Sequence, residues 1–298
     1  MSTALRAALV EADGKRVAIG HFNVSELTAV HAIVGAARAL DVPVIIGVSE
    51  GERDFFGVEQ VAAVVHSLRA EGGPPIFLDA DHTHSLAAAE RAARAGFDAV
   101  VFDASSTSFD ENVTTTRKAV LALRAIAPDI VVEGEIGYIG SSSTIHDAGP
   151  KEGYGLTTVD EARRYVEATG IDVLAPSVGT MHGMLPSMVE GHTEKRLNVE
   201  RIQAIKSATG RPLTLHGASG THADDVRRAV AAGITIVHVN TELRLAWRRA
   251  LEAAFAAQPR EVAPYKLLAP VVAALQSVVT EHLRLLNGLP ATAPAPIA

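Results

Sequence analysis

Short runs of branched and apolar residues recur along this chain, separated by stretches in which apolar positions return every three to four residues. The runs fall at residues 17–22, 43–48, 76–78, 99–102, 130–133, 171–175, 212–215 and 234–239. Near-continuous apolar runs of this length read as strands covered on both faces. Between them lie helical patterns at about 58–69, 85–95, 110–126, 159–168, 198–208 and 223–231, after an earlier one that opens at Ser25 and carries Leu27, Val30, Ile33 and Val34. Ser25 and Ser85 stand where helix caps belong, and Gly96 stands where a helix should stop. Helices at 242–257 and about 270–286 follow the last strand.

Alternating strands and helices pair in parallel through right-handed crossovers. Eight such units in a chain somewhat longer than ~250 residues predict an α/β fold closed as a (β/α)8 TIM barrel, with the C-terminal helix added outside. No low-complexity linker divides the chain, so 1–289 reads as a single domain and 290–298 as a Pro/Ala-rich tail with little to pack.

In such a barrel the loops that follow the strands build the active site. The polar residues there are Asn23, Ser49, Asp81 with His82, Asp103 with Ser105, Glu133 with Glu135, His182, His216, and His238 with Asn240. The stretch Leu78-Asp79-Ala80-Asp81-His82-Thr83-His84 ends an apolar run in two acids and two imidazoles. One such Asp-His pair reads equally as a solvated loop. Thr180-Met181-His182-Gly183 and Leu215-His216-Gly217-Ala218-Ser219-Gly220 repeat the arrangement at two other ends. Three imidazoles at three strand ends can converge on one divalent ion and leave it an open position, with Asp81 beside it to move a proton. His84 is an alternative ligand or an outer neighbour, whereas His31, His66 and His146 read as ordinary.

Composition narrows the class further. Of 298 residues, 48% are hydrophobic and 20% charged, which supports a sizeable core, and the net charge of −7 leaves no basic footprint for nucleic acid. The chain has no cysteine, which excludes disulfides and thiolate chemistry. The first residues lack a signal pattern and no apolar stretch approaches the ~20 residues that span a bilayer, so a soluble cytoplasmic protein without a membrane partner is expected.

Asp81-His82, Glu133-Gly134-Glu135-Ile136-Gly137, Gly179-Thr180-Met181-His182-Gly183 and His216-Gly217-Ala218-Ser219-Gly220 together resemble the class II, metal-dependent fructose-bisphosphate and tagatose-bisphosphate aldolases, over nearly the whole chain. The resemblance implies reversible cleavage of a ketose bisphosphate to dihydroxyacetone phosphate and an aldehyde. It implies His82, His182 and His216 as zinc ligands, with cobalt or manganese as substitutes, and Asp81 as the proton-transfer acid. Asp103, Ser105 and Glu135 fall where a second or displaced metal ion is held. Asn23 and Ser49 are expected on the substrate, and Gly183, Gly217, Ser219, Asn240 and Thr241 match the cradle of the triose phosphate. A homodimer or homotetramer is implied as well.

Three departures bear on substrate. Ser143 takes the place of a loop glutamate that handles the triose-carbon proton, with Asp147 or Glu152 as replacements. His238 stands where an asparagine usually lies, and is expected to donate a hydrogen bond to the intermediate. Tyr265 stands where some relatives place an arginine on the distal phosphate, with Lys266 next to it. Alternatives therefore include a tagatose-bisphosphate or other sugar-phosphate aldolase, and a non-catalytic partner subunit, although the latter is expected to have lost ligands.

Overall fold

The structure is a computed structural model, and it describes residues 3–137, 139–140, 143–146, 155–192 and 195–291. The order along the chain is α1 (Thr3–Lys15), β1 (Ile19–Asn23), α2 (Leu27–Leu40), β2 (Val44–Val48), α3 (Glu50–Phe56), α4 (Val58–Ala70), β3 (Ile76–Thr83), α5 (Leu86–Arg94), β4 (Ala99–Phe102) and α6 (Phe109–Ile126). It continues with β5 (Val131–Ile136), α7 (Val159–Thr169), β6 (Val173–Pro176), α8 (Pro186–Val189), α9 (Val199–Thr209), β7 (Leu213–Leu215), α10 (Ala223–Ala232), β8 (Ile234–Val239), α11 (Thr241–Ala257) and α12 (Pro264–Leu286). The strands are parallel and close as a barrel in sequence order, with β8 returning to β1. Every apolar run of the sequence becomes a strand.

Side chains alternate along each strand, so each contributes one set to the interior and one to the helices. Phe22, Ile46, Leu78, Val100, Val132, Leu174, Leu215 and Val237 face the helices. Ile19, Ile45, Phe77, Ala99, Val131, Val173 and Ile236 form an apolar floor inside the barrel. Leu5, Leu9 and Ala12 of α1 plug that floor from below. The periodic pattern alone did not show α1, because its buried face is narrow and built for a barrel bottom that exists only once the strands have closed.

Two residues above the floor the interior turns polar. His21, Asp79, Glu133 and His238 follow Ile19, Phe77, Val131 and Ile236 at the strand period, and all are buried. Gly47 occupies that layer on β2, where a Cβ would stand 2.0 Å from the His21 ring, so the missing side chain makes room for the imidazole.

Some boundaries differ from the expectation. β3 and β5 run on through Thr83 and Ile136, carrying their acids inside the sheet instead of beyond it. α12 begins at Pro264 rather than near Pro270. Pro264 supplies the favoured first-turn proline, and Pro270 is accommodated within the helix. The closure is thinnest at one seam, since β6 and β7 share the single register pair Leu174↔Leu213. Among the described residues no helix is long and apolar enough to cross a membrane. Most of the tail lies outside the described residues.

Candidate active site

The end of β3 departs from regular alternation. Leu78 and Ala80 pack outward, so His82 should follow them and Asp81 should face inward. Instead the β3–β4 register shifts between Ala80 and Thr83, and His82 takes φ +37°, a left-handed value uncommon for a residue with a Cβ. The shift brings both side chains to one space. Arg53 of α3 braces it, its buried guanidinium donating to the carbonyl oxygens of Val48 and Asp81 and to Thr83 Oγ1.

His216 leaves β7 at its end, while His182 sits on the loop six residues past β6, farther from a strand end than its apolar run suggested. Its backbone N–H donates to Ile139 O at 2.7 Å. The three rings meet edge to face, with centroids 4.8 Å apart for His82–His182 and His82–His216 and 5.6 Å for His182–His216, at interplanar angles of 72°, 77° and 78°. His82 Nδ1 donates to Asp103 Oδ2 at 2.9 Å and His216 Nε2 donates to Glu133 Oε1 at 2.7 Å. The other nitrogens, His82 Nε2 and His216 Nδ1, face each other at 3.1 Å.

That spacing is informative. Two nitrogens sharing a tetrahedral ion through bonds of about 2.0–2.1 Å lie about 3.3 Å apart. His182 Nε2 and Glu135 Oε2 are buried without hydrogen-bond partners, and one ligand atom from each of His82, Glu135, His182 and His216 lies within 4.8 Å of the others. A donor set with orphaned inward atoms and carboxylates behind two of its rings fits a divalent cation.

Two neighbouring clusters do not. His21 and His238 stack at 3.5 Å with 6° between planes, and His216 and His238 at 4.1 Å with 25°. Imidazole lone pairs lie in the ring plane, so stacked rings cannot both aim at one ion. These groups form a polar layer beneath the site, tied by His21 Nε2 to Asp79 at 2.9 Å and Thr214 Oγ1 to Glu133 at 2.6 Å.

Protonation follows the same geometry. Burial works against charge on His82, yet Asp81, the bond to Asp103 and Glu135 outweigh it and raise its pKa to about 10. Burial and the His82 charge push His216 down to about 3 and His182 well below the ordinary range. Burial also lifts Glu133 to about 7 and Glu135 to about 8. Asp81 resists the upward pull of burial because the His82 charge holds it well below the carboxylate range.

Asp81 Oδ2 accepts from Asn23 Nδ2 at 2.9 Å, and the same amide donates to Glu52 Oε2 at 2.8 Å. Oδ1 has no hydrogen bond and stands 3.5 Å from His238 Nδ1 and 3.9 Å from His82 Nε2. Asn23, Asp81, Ser143, His182, Gly183, Gly217, Ser219, His238, Asn240 and Thr241 line one recess. It opens into an outer cavity of about 350 Å³ bordered by Ser49, Glu50, His82, Asp103, Ser105 and Arg244.

The expected residues therefore gather at one place, and their surroundings add detail. Asp103 joins no ligand cluster: it backs His82, and its other oxygen takes the N–H and Oγ of Ser105. Of that expected second-ion group Glu135 offers an atom to the cluster of all three imidazoles, and Asp103 touches His82 alone. His84 meets Glu50 at 3.0 Å and stands 3.6 Å from Asp103 Oδ2, the place of an outer neighbour. Tyr265 is 74% exposed on α12 and lines neither recess nor cavity, and Lys266 pairs with Glu261 at 2.9 Å. Asp147 and Glu152 lie outside the described residues. Sequence reasoning missed Glu52, Arg53, Lys195 and Arg244. For Glu52 a signal existed, because Ser49 and Glu52 have capping-box spacing, and Glu52 accepts both the N–H and Oγ of Ser49.

The family profile described as Fructose-bisphosphate aldolase class-II matches residues 3–289. The chain belongs to that family. This class II aldolase is 35% identical over 273 residues to the "Probable fructose-bisphosphate aldolase" of Bacillus subtilis (strain 168), covering 91% of this chain and 92% of that one. It is 32% identical over 279 residues to the "6-phospho-5-dehydro-2-deoxy-D-gluconate aldolase" of Shouchella clausii (strain KSM-K16), covering 93% and 91%. The X-ray structure of the YdjI aldolase from Escherichia coli K12 superposes with a TM-score of 0.80 at 28% identity, covering 95% of this chain and 96% of that one. The chain is an aldehyde-lyase of a metal-dependent family.

Proposed function

We propose that this class II aldolase is zinc-dependent and reversibly cleaves a ketose 1,6-bisphosphate, fructose 1,6-bisphosphate first, into dihydroxyacetone phosphate and an aldehyde such as glyceraldehyde 3-phosphate. The observation that carries the proposal is the edge-to-face meeting of His82, His182 and His216 with Asp103 and Glu133 behind two of them. These imidazoles would hold the ion, with Glu135 in reach. When bound, a divalent cation supplies Lewis-acid stabilisation of the charge that develops at the ketone oxygen.

The chain's own groups do the rest. In cleavage Asp81 Oδ1 takes the proton of the C4 hydroxyl as that carbon becomes the aldehyde, and the electron pair of the C3–C4 bond stays with the triose half, which takes a proton from water at C3 to become dihydroxyacetone phosphate. In condensation water accepts the C3 proton and Asp81 returns its own to the new hydroxyl. Asn23 fixes the second oxygen, so the free one points at the reacting atoms. His238 Nδ1 stands 3.5 Å from that free oxygen without a hydrogen bond, and its Nε2 is buried without a partner. It would donate a hydrogen bond to the charge that develops on the intermediate, the role its position suggested. Gly183, Gly217, Ser219 and the N-terminus of α11 at Asn240 and Thr241 would take the triose phosphate, since a helix N-terminus and close backbone approach favour an anion.

A second reading concerns the far end of the substrate. Among the described residues Arg244 is the one Arg or Lys bordering the outer cavity, which suits a single acidic group as well as a second phosphate. The test combines both questions. Protein stripped by a chelator should lose turnover and regain it with zinc, cobalt or manganese, and a panel of fructose and tagatose bisphosphates against 6-phosphosugar acids should rank the substrates. Undiminished cleavage by metal-free protein would overturn the zinc mechanism. Light scattering reads the homodimer or homotetramer that the family suggests.

A further inference from the structure

Lys195 is 3% exposed, and its ammonium donates to the carbonyl oxygens of Gly183 and Gly217 at 2.8 Å each and of Ser219. All three hydrogens are spent on neutral acceptors. No carboxylate touches the nitrogen among the described residues. Glu242 attracts it from a distance, but that carboxylate is already engaged by the Gly220 N–H at 2.6 Å and by His282 at 2.7 Å. A buried charge without a contacting counterion is costly, and burial pulls this amine down to about 7.

No neutral side chain brings three hydrogens to one nitrogen, so these three carbonyls call for the ammonium in spite of that cost. The charge needs an anion, and the three residues that Lys195 ties together all line the recess beside the imidazoles. Gly183 follows His182 and Gly217 follows His216, so the tie also spans the two loops that carry those rings. Lys195 itself does not line the recess. It sits behind the wall, with every hydrogen engaged.

We propose that Lys195 is a positioning residue for the phosphate end of the substrate: it holds Gly183, Gly217 and Ser219 in one wall and offsets the charge of a phosphate monoester seated on that wall, without touching it. This rests on the assignment of those residues as the phosphate cradle. A phosphate remote from the breaking bond contributes chiefly uniform binding, so the loss should appear in affinity more than in turnover.

The experiment uses the metal-loaded full chain, inorganic phosphate as the probe, and Lys195→Gln, which keeps hydrogen-bond donors and removes the charge. Calorimetry should show phosphate affinity reduced ten-fold or more, and KM for the ketose bisphosphate raised by a similar factor, while metal content is unchanged and kcat falls far less. Wild-type-like phosphate affinity and KM in Lys195→Gln, with only a lower Tm, would overturn the proposal. If Lys195→Gln does not fold, Lys195→Ala refolded with ethylammonium provides the second arm. Recovery of phosphate affinity by ethylammonium but not by propanol supports the role of charge, and equal recovery by both, or by neither, overturns it. Failure of the wild-type protein to bind phosphate would instead strike the cradle assignment itself, and would remove the Lys195 proposal with it.

Discussion

At Asp81 one oxygen is fixed by Asn23 and the other is left bare, and this asymmetry is what a proton-transfer group requires. Asp81→Asn should lower kcat by about 10²–10⁴-fold, the usual range for general acid–base help, while metal analysis finds the ion retained. Asp103 offers a contrasting test. It touches His82 from behind, and partners of that kind typically tune metal affinity about 10–100-fold. Asp103→Asn should therefore compete less well against a chelator, with a smaller loss of kcat at saturating zinc. His82, His182 and His216 were legible in the sequence because each chemistry-bearing residue interrupts or closely follows an apolar run. Lys195 and Arg244 were not, since a lone base in a polar stretch looks solvated until the fold buries it against partners 22 and 192 residues away.

Elements were readable where their patterns are self-contained. The eight strands and the helices between them follow from local periodicity, whereas α1 and α3 take their meaning from surfaces that other elements supply. The paired helices α11 and α12 carry a feature with a definite pH response: His282 of α12 meets Glu242 of α11 at 2.7 Å. Burial would raise Glu242, but His282 and the Gly220 N–H hold it below its ordinary 4.5, so its stabilising part exists above about pH 4.5 and fades as pH falls through the lowered value. Burial would lower His282, but Glu242 raises it above 6.5, so its part exists below pH 6.5 and fades as pH rises through the raised value. His282→Gln should cost most between about pH 4.5 and 6.5, on the order of 1–3 kcal/mol for a charge-assisted bond. Urea titrations of both proteins at pH 5.5 and pH 9 measure this, and an equal difference at the two values would refute it.

On the scale of the whole molecule, barrel closure is what converts scattered residues into one centre: β1, β3, β5, β7 and β8 contribute Asn23, Asp81, Glu135, His216 and His238 from far apart in the chain. An ion bound only by the closed form stabilises it, by about 2.7 kcal/mol at a hundred times Kd. Scanning calorimetry should then show Tm lower by about 5–11 °C after chelation, at roughly 2–4 °C per kcal/mol. No such drop should follow chelation in His216→Ala. The architecture and the gathering of the site were legible because alternation and strand-end chemistry are written locally. The register shift at Ala80–Thr83 that aims His82 was not, because it is set by pairing with β4.

The seam between β6 and β7 gives this linkage a location. With Leu174 and Leu213 alone in register, that joint has little backbone pairing of its own; beyond it Lys195 ties Gly183 after β6 to Gly217 and Ser219 after β7, and the rings of His182 and His216 meet edge to face. The reactive centre doubles as the rivet of the cylinder's weakest join. A lineage drifting toward different chemistry on this scaffold cannot simply discard those rings; it must first lengthen the two flanking strands, or accept a cylinder that gapes.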